Sequence, residues 1–251
     1  MAKAKRDPDK RRGFHPFQWL WRRVFGPLLR PIFKWVFRLA LVIGAVVLCA
    51  VVLFALINPP TTPYMIAEGQ RLGQSVRYEW VDIDDIAPVM ARAVVAAEDA
   101  NFCLHWGLDL AAIRAALADG SNRGGSTISQ QVVKNAYLWQ GRSYIRKALE
   151  AVITPVMEAV WSKRRIVEVY LNIVEFDAGV FGVGAAAQHY FGVAPADLSP
   201  RQAARLAAIL PSPKTRSAAQ PRQFVRQRAA QIIDGAATIR ADGRARCFEA
   251  D

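Results

Sequence analysis

The chain has 251 residues, 53% of them hydrophobic, and a formal charge of +12. That is room for one sizeable domain beyond any leader, and too much apolar content for a disordered chain. The charge does not mark a nucleic-acid binder: residues 1–38 carry eleven Lys/Arg and two Asp, a net of +9, which leaves +3 (12 − 9) for the other 213 residues, and no nucleic-acid-binding motif accompanies it.

The basic leader, 1–38, interleaves its charges with Phe14, Phe17, Trp19, Trp21, Phe25, Phe33 and Trp35. Such a mixture suits an interfacial belt against anionic membrane lipids. Residues 39–57 then form an uncharged run of nineteen. As a helix it would rise about 30 Å, the thickness of a bilayer core, so it reads as a single transmembrane helix. Asn58-Pro59-Pro60 closes it. The alternative is a cleaved signal peptide, whose apolar region runs only about 7–15 residues and ends at a small-residue cleavage site. With the basic flank inside, the N-terminus is expected in the cytoplasm and 58–251 beyond a bacterial inner membrane, on the periplasmic or extracytoplasmic side.

Residues 58–75 read as a linker with a short extended start, and 76–251 as one catalytic-sized domain. Alternation over 76–83 predicts a brief strand. Everything after it reads as helix. Asp85 is the expected N-cap of an alanine-rich helix over 89–97, with Pro88 in its first turn. A second helix covers 108–118 and stops at Asp119-Gly120. A glycine-rich polar loop over 121–125 leads to Ser126, expected to cap a helix reaching about 138. Further helices are predicted over 143–160, with Pro155 as a kink, and over 162–173, where Ile166, Val169, Tyr170 and Ile173 share one face. Residues 179–192 are rich in Gly and Ala, suited to close helix packing. Ser199, Pro200 and Gln202 carry a capping-box pattern, for a helix that ends at Pro211-Ser212-Pro213. A basic helix over about 222–240 comes last. The domain is mainly α, without internal repeats.

Of three cysteines, Cys49 lies in the span. Cys103 and Cys247 would share an oxidising compartment and either pair or remain buried thiols. No Cys/His spacing suggests zinc.

Four blocks could carry chemistry. Glu98-Asp99, followed by Phe102, His105, Gly107 and Asp109, offers carboxylates for acid/base work; equally, Asp99 and Asp109 could cap helices and His105 be structural. Gly124-Gly125 ahead of Ser126, Thr127, Gln130, Gln131, Lys134 and Asn135 exposes backbone N–H groups at a helix start, where an anion such as diphosphate can dock. No P-loop spacing is present, and the run of polar side chains exceeds what a cap needs. Arg142, Arg146, Lys147 and Glu150 form the third block, in which Arg146 and Glu150, four apart, could be an ordinary surface pair. The fourth, Lys163 to Asn172 with Glu168, reads adequately as an amphipathic helix.

Together and in this order, EDANFCLHWGLD, GGSTISQQVVKN, RKALE, KRRIVEVYLN and AARLAAILPSP resemble the family 51 glycosyltransferases, the peptidoglycan polymerases, over about residues 70–215. The chain ends soon afterwards, so the monofunctional form without a transpeptidase domain is expected. The resemblance implies a lysozyme-like helical domain whose cleft faces the membrane. The implied substrate is lipid II, a disaccharide-peptide on a polyprenyl diphosphate. The growing glycan would leave its lipid diphosphate for the 4-hydroxyl of the incoming GlcNAc, giving β-1,4 links with inversion.

Carried over by motif, Glu98 is the general base, kept ionised by neighbouring cations. Lys134, Arg142, Arg146 and Lys147 neutralise the departing diphosphate. Glu150 either orients those cations or recruits a divalent cation (Mg or Mn). Ser126, Thr127, Gln130, Gln131 and Asn135 position sugar and diphosphate. Asp99, Phe102, His105, Gly107, Glu168 and Asn172 support the cleft. Ser129 stands where the family often has Thr, and a disulfide at Cys103 could stiffen the loop of Phe102 and His105. An aromatic patch, Tyr137-Leu138-Trp139, is a candidate for dipping into the bilayer. Partners of cell-wall synthesis or division are compatible with this reading. The rivals are a lysozyme-like lytic glycosidase, which would need a raised-pKa acid but no cation set, and a non-catalytic membrane scaffold.

Overall fold

The structure is a computed structural model that describes residues 26–118, 125–141 and 143–249. The aromatic leader through Phe25, the loop over 119–124 and Arg142 lie outside them. Contacts divide the chain into two compact units, 1–50 and 51–251.

Helix α1 (Gly26–Leu56) provides the described part of the first unit and enters the second at Val51. Over Arg30–Leu56 it is long and apolar enough to cross a membrane. Ile32, Phe33, Trp35, Val42 and Val46 are exposed along it. A helix showing apolar side chains all round needs a non-aqueous surrounding.

In the second unit the first helix lies where the sequence reads as linker: α2 (Pro63–Leu72). Its signals are local. Thr62 Oγ1 accepts from Met65 N at 3.2 Å, Pro63 holds the first position, and Gly73 ends it at φ 66°. Strand β1 is only Arg77–Tyr78. Helix α3 (Pro88–Glu98) starts at Pro88 without a side-chain cap, and Asp85 instead ends a 3-10 turn, Ile83–Asp85. Helix α4 (Leu110–Ala118) is capped by Asp109, whose Oδ1 accepts from Ala112 N at 2.8 Å. The cap of α5 (Ile128–Tyr137) is Thr127 rather than Ser126, because Gln130 completes a capping box with it. Ser143 and Ser162 cap α6 (Tyr144–Val160) and α7 (Lys163–Ile173).

After α7 the all-helical expectation fails. Strands β2 (Glu175–Asp177) and β3 (Val180–Phe181) join β1 in a small sheet of order β1-β3-β2, with β1 and β3 parallel and β2 antiparallel to β3. The strands are too short to show a periodicity, and Gly179, at φ 71°, turns the chain between them. Helix α8 (Gly182–Phe191) follows, then α9 (Pro200–Ile209) with the expected Ser199–Gln202 capping box, then α10 (Gln223–Ala241).

Helix α7 is the centre. Ile166, Val167, Val169, Tyr170, Leu171, Asn172 and Ile173 are all buried, against α5 on one side and α8 on another. Helices α3, α9 and α10 pack on one another as a second layer. The Tyr137-Leu138-Trp139 patch is split: Leu138 is buried, Tyr137 stacks on Phe54 with ring centroids 5.7 Å apart, and Trp139 is exposed. Behind α10 the chain returns to α3. Cys247 is bonded to Cys103, Phe102 meets Phe248, and Arg92 pairs with Glu249.

Two predictions rest on this frame. The disulfide joins residues 144 apart, so its Cys103→Ser/Cys247→Ser replacement should cost about 5 kcal/mol of unfolding free energy in a denaturant titration. Gly182 sits at φ 80°, where a Cβ would stand 2.6 Å from the backbone oxygen of Asn172. Gly182→Ala should cost roughly 3 kcal/mol in the same measurement, since backbone cannot yield as a side chain can.

Candidate active site

Helix α3 delivers Glu98 at its last residue. The carboxylate Oε2 accepts from Gln131 Nε2 at 3.0 Å, and Gln131 Oε1 accepts from the Tyr170 hydroxyl at 3.1 Å. Tyr170 is fully buried in α7, so this chain fixes which way the amide faces and aims a donor at the acid. Burial pushes the Glu98 carboxyl above its ordinary value; Gln131, then Arg228, then Lys134 pull it back, and Asp99 opposes them. The neighbouring cations expected to favour its ionised form do act in that direction, against a larger opposing effect. Desolvation dominates, and donors and cations only moderate it.

Asp99 is buried and uses both oxygens. Oδ1 lies 2.8 Å from His105 Nε2, and Oδ2 accepts from Ile128 N, the first residue of α5, at 3.0 Å. It is thus a cap, as one reading of the sequence has it, but for a helix distant in sequence. His105 donates from Nε2 to a carboxylate, so its role is to orient the loop. Lys163 secures that loop from α7, donating to His105 O at 2.8 Å and to Glu158 Oε1 at 2.9 Å and lying over the Phe102 ring. Thr127 Oγ1 donates to Gly107 O at 2.5 Å. Gly107, at φ 76°, passes so close to Thr154 and Glu158 that no side chain fits.

The residues expected to meet substrate make the following contacts within the chain. Thr127 and Gln130 are buried and satisfy each other in the capping box. Asn135 is buried and accepts from Gln140 Nε2 at 3.2 Å. Ser129 donates to the buried Glu158. Their polarity serves the fold. Gln131 turns to Glu98, and Ser126 accepts from Lys147 Nζ at 2.9 Å.

The cations gather beside them. Lys134 reaches from α5; its ammonium is pushed down by burial and by Arg146 and held up by Glu98. It therefore stands electrostatically between the acid and the basic cluster of α6. There Arg146 pairs with Glu150 Oε1 and donates from Nε to Gly141 O at 2.9 Å. Lys147 Nζ lies 3.1 Å from Glu150 Oε2. Burial, then Arg146 and Lys134, push the Lys147 ammonium down. The Arg146–Glu150 pair is no surface pair, because Glu150 is 2% exposed.

Among the described residues no group of three or more His, Cys, Asp or Glu stands together. Both Glu150 oxygens already face cations, so this donor set does not fit a divalent ion held by the protein. Glu168 and Asn172 brace the segment after β1: Asn172 Oδ1 accepts from Val81 N and its Nδ2 donates to Val81 O, each at 2.8 Å, while Glu168 accepts from Ile83 N at 3.1 Å.

Sequence reasoning gave no role to Glu158 or Arg228 and read Tyr170 only as core. Helical spacing places Tyr170 on the buried face, but its hydroxyl's partner is set by tertiary contact. Arg228 lies in a helix that shows only basic composition.

A family model described as Transglycosylase matches residues 66–237. The chain is 61% identical over 215 residues to the biosynthetic peptidoglycan transglycosylase of Jannaschia sp. (strain CCS1), covering 86% of this chain and 90% of that protein. It is 45% identical over 230 residues to the protein of the same name from Caulobacter vibrioides (strain ATCC 19089 / CIP 103742 / CB 15), covering 90% and 97%. It is 44% identical over 225 residues to that of Pseudomonas fluorescens (strain SBW25), covering 86% and 94%. A half-buried acid beside a cluster of cations, on a lysozyme-like helical domain, accords with those matches, and the chain belongs to the transglycosylase family.

Proposed function

We propose that this peptidoglycan transglycosylase polymerises glycan strands from lipid II at a membrane surface, with Glu98 as general base. The growing strand is the donor, held through its lipid diphosphate. The incoming GlcNAc 4-hydroxyl attacks the donor anomeric carbon and gives its proton to Glu98. The bond from that carbon to the diphosphate breaks, and the α link becomes a β-1,4 link. Lys134, Arg146 and Lys147, with Arg142 from outside the described residues, take up the negative charge of the departing diphosphate.

The observation that carries this reading is the charge coupling of Lys134 both to Glu98 and to Arg146, which with Lys147 brackets Glu150. A leaving diphosphate is already a good leaving group, so it needs neutralisation more than protonation. The raised Glu98 carboxyl also suits the acid of a lytic glycosidase. The two-carboxylate form of that chemistry needs a second free carboxylate, and the adjacent Asp99 is spent on His105 and Ile128. A cation cluster would be idle there.

Three features support a bilayer setting. The α1 helix is long and apolar enough to span. In the second unit, α6 exposes Ile145, Leu149, Val152, Val156 and Val160 along one face, and the loop before α4 exposes Leu104 and Trp106. Trp161, at the end of α6, donates from Nε1 to the buried Val51 carbonyl, where the apolar helix enters this unit. The Cys103–Cys247 bond and the basic leader together support an extracytoplasmic domain with a cytoplasmic N-terminus.

Purified protein in detergent should convert lipid II into glycan strands. Glu98→Gln should keep the thermal midpoint within a few degrees and lower the rate by about a hundredfold or more; normal strand synthesis by that variant removes the base assignment. A base works only when ionised, and this carboxyl holds its proton above the ordinary range. Activity should therefore rise with pH along an acid limb lying higher than that of an exposed glutamate. Because Glu150 is occupied by Arg146 and Lys147, the rate in EDTA should match the untreated rate.

A further inference from the structure

Glu98 ends a helix, and the carbonyls around it have no onward helical partner. Two arginines from the far end of the chain hold the carbonyls on either side. Arg228 Nη2 donates to Ala97 O at 3.1 Å, and Arg244 Nη1 donates to Ala100 O at 3.1 Å. Helix α10, which carries Arg228, runs close against α3: a Cβ at Gly235 would stand 3.3 Å from that of Ala96. Arg228 Nη1 also reaches Gln231 Oε1 at 3.4 Å.

The charged and titratable groups facing Glu98 are few. Asp99 follows it, Lys134 comes from α5, Tyr170 from α7 and Arg228 from α10. Lys134 and Arg228 are the two cations, and they differ in availability. Lys134 sits with the cluster that meets the diphosphate, and its ammonium is itself pushed down. When substrate binds, its charge is shared with phosphate oxygens. A guanidinium stays charged at every working pH, and α10 bears none of the leaving-group cations.

We propose that Arg228 is a positioning residue for glycosyl transfer: it fixes the end of α3 through the Ala97 carbonyl and gives Glu98 a permanent counter-charge that substrate does not compete for. The inference rests on the assignment of Glu98 as base. It places part of the site in a helix outside all five motif blocks. Arg244 makes the same kind of carbonyl contact on the other side of Glu98, but its charge is paired with Asp242 at 2.7 Å. It therefore serves as an internal comparison.

The test is kcat/KM for lipid II polymerisation against pH, with the full chain in detergent, for wild type, Arg228→Gln, Arg228→Lys, Arg244→Gln and Glu98→Gln. Arg228→Gln keeps a donor and loses the charge. Its acid limb should move to higher pH, so that its deficit at pH 6 exceeds its deficit at pH 8 by about threefold or more. Arg228→Lys should keep the limb in place while losing some rate, and Arg244→Gln should lose rate evenly across pH. An Arg228→Gln profile parallel to wild type overturns the proposal and leaves Arg228 a packing residue. If Arg228→Gln does not fold, Arg228→Lys decides: a displaced limb there overturns the proposal, and an unmoved limb with lowered rate supports it. Full activity in Glu98→Gln is a different failure, that of the base assignment itself.

Discussion

Asp99 has two oxygens, and each holds a different piece of the site. One faces His105 and so fixes the loop from Phe102 to Gly107; the other accepts the first backbone N–H of α5. Since Asp99 directly follows Glu98, these two contacts also decide where α3 must stop. Glu98, the aromatic loop and the helix that carries Gln131 and Lys134 are thus referenced to a single buried carboxylate. Losing one partner would strand a buried charge, which typically costs more than the bond itself contributes. The surrounding polar contacts follow from this anchor. Lys163 and Glu158 hold the loop from below, and Thr127 ties Gly107 to the start of α5.

A base at Glu98, as proposed, would face a conflict. The burial that shields it from water also favours its neutral form. The site answers with one neutral donor and two cations on different elements. Gln131 is held in a single orientation by Tyr170, so its donated bond is preorganised. Lys134 and Arg228 add charge from α5 and α10. A fully solvated glutamate would ionise more readily but would be a weaker base toward a sugar hydroxyl. A partly raised carboxyl, moderated but not overwhelmed, is the compromise a proton acceptor near neutral pH requires.

The sequence makes legible what local rules control. Ser143, Ser162 and Ser199 cap the helices they precede, and the face of Ile166, Val169, Tyr170 and Ile173 is buried as its spacing predicts. The motif blocks locate Glu98, Lys134, Arg146 and Glu150. Illegible were features set by distant contact or by very short elements. The strands span two or three residues, too few for alternation to register. Thr127, Gln130 and Asn135 look like substrate ligands because polar residues at a helix start are ambiguous between capping and binding. Only burial distinguishes the two, and it places them inside. The α2 helix is only ten residues long and holds a glycine, Gly69, although Thr62-Pro63 and Gly73 mark both of its ends.

For Glu150 the charge balance supports the reading in which it orients the cations. Lys134, Arg146 and Lys147 repel one another, and burial pushes both ammoniums down. Left alone, such a cluster would shed a proton or splay into solvent before any phosphate arrived. Glu150, buried beneath Arg146 and Lys147 with one oxygen for each, holds the two at a fixed separation. Among the described residues it cancels one of the three positive charges and leaves a net of +2, which in the proposed reaction would face a diphosphate. A carboxylate so engaged is a poor metal ligand and a good scaffold. In the proposed reaction its value would be that the cations need not reorganise when the leaving group develops its charge.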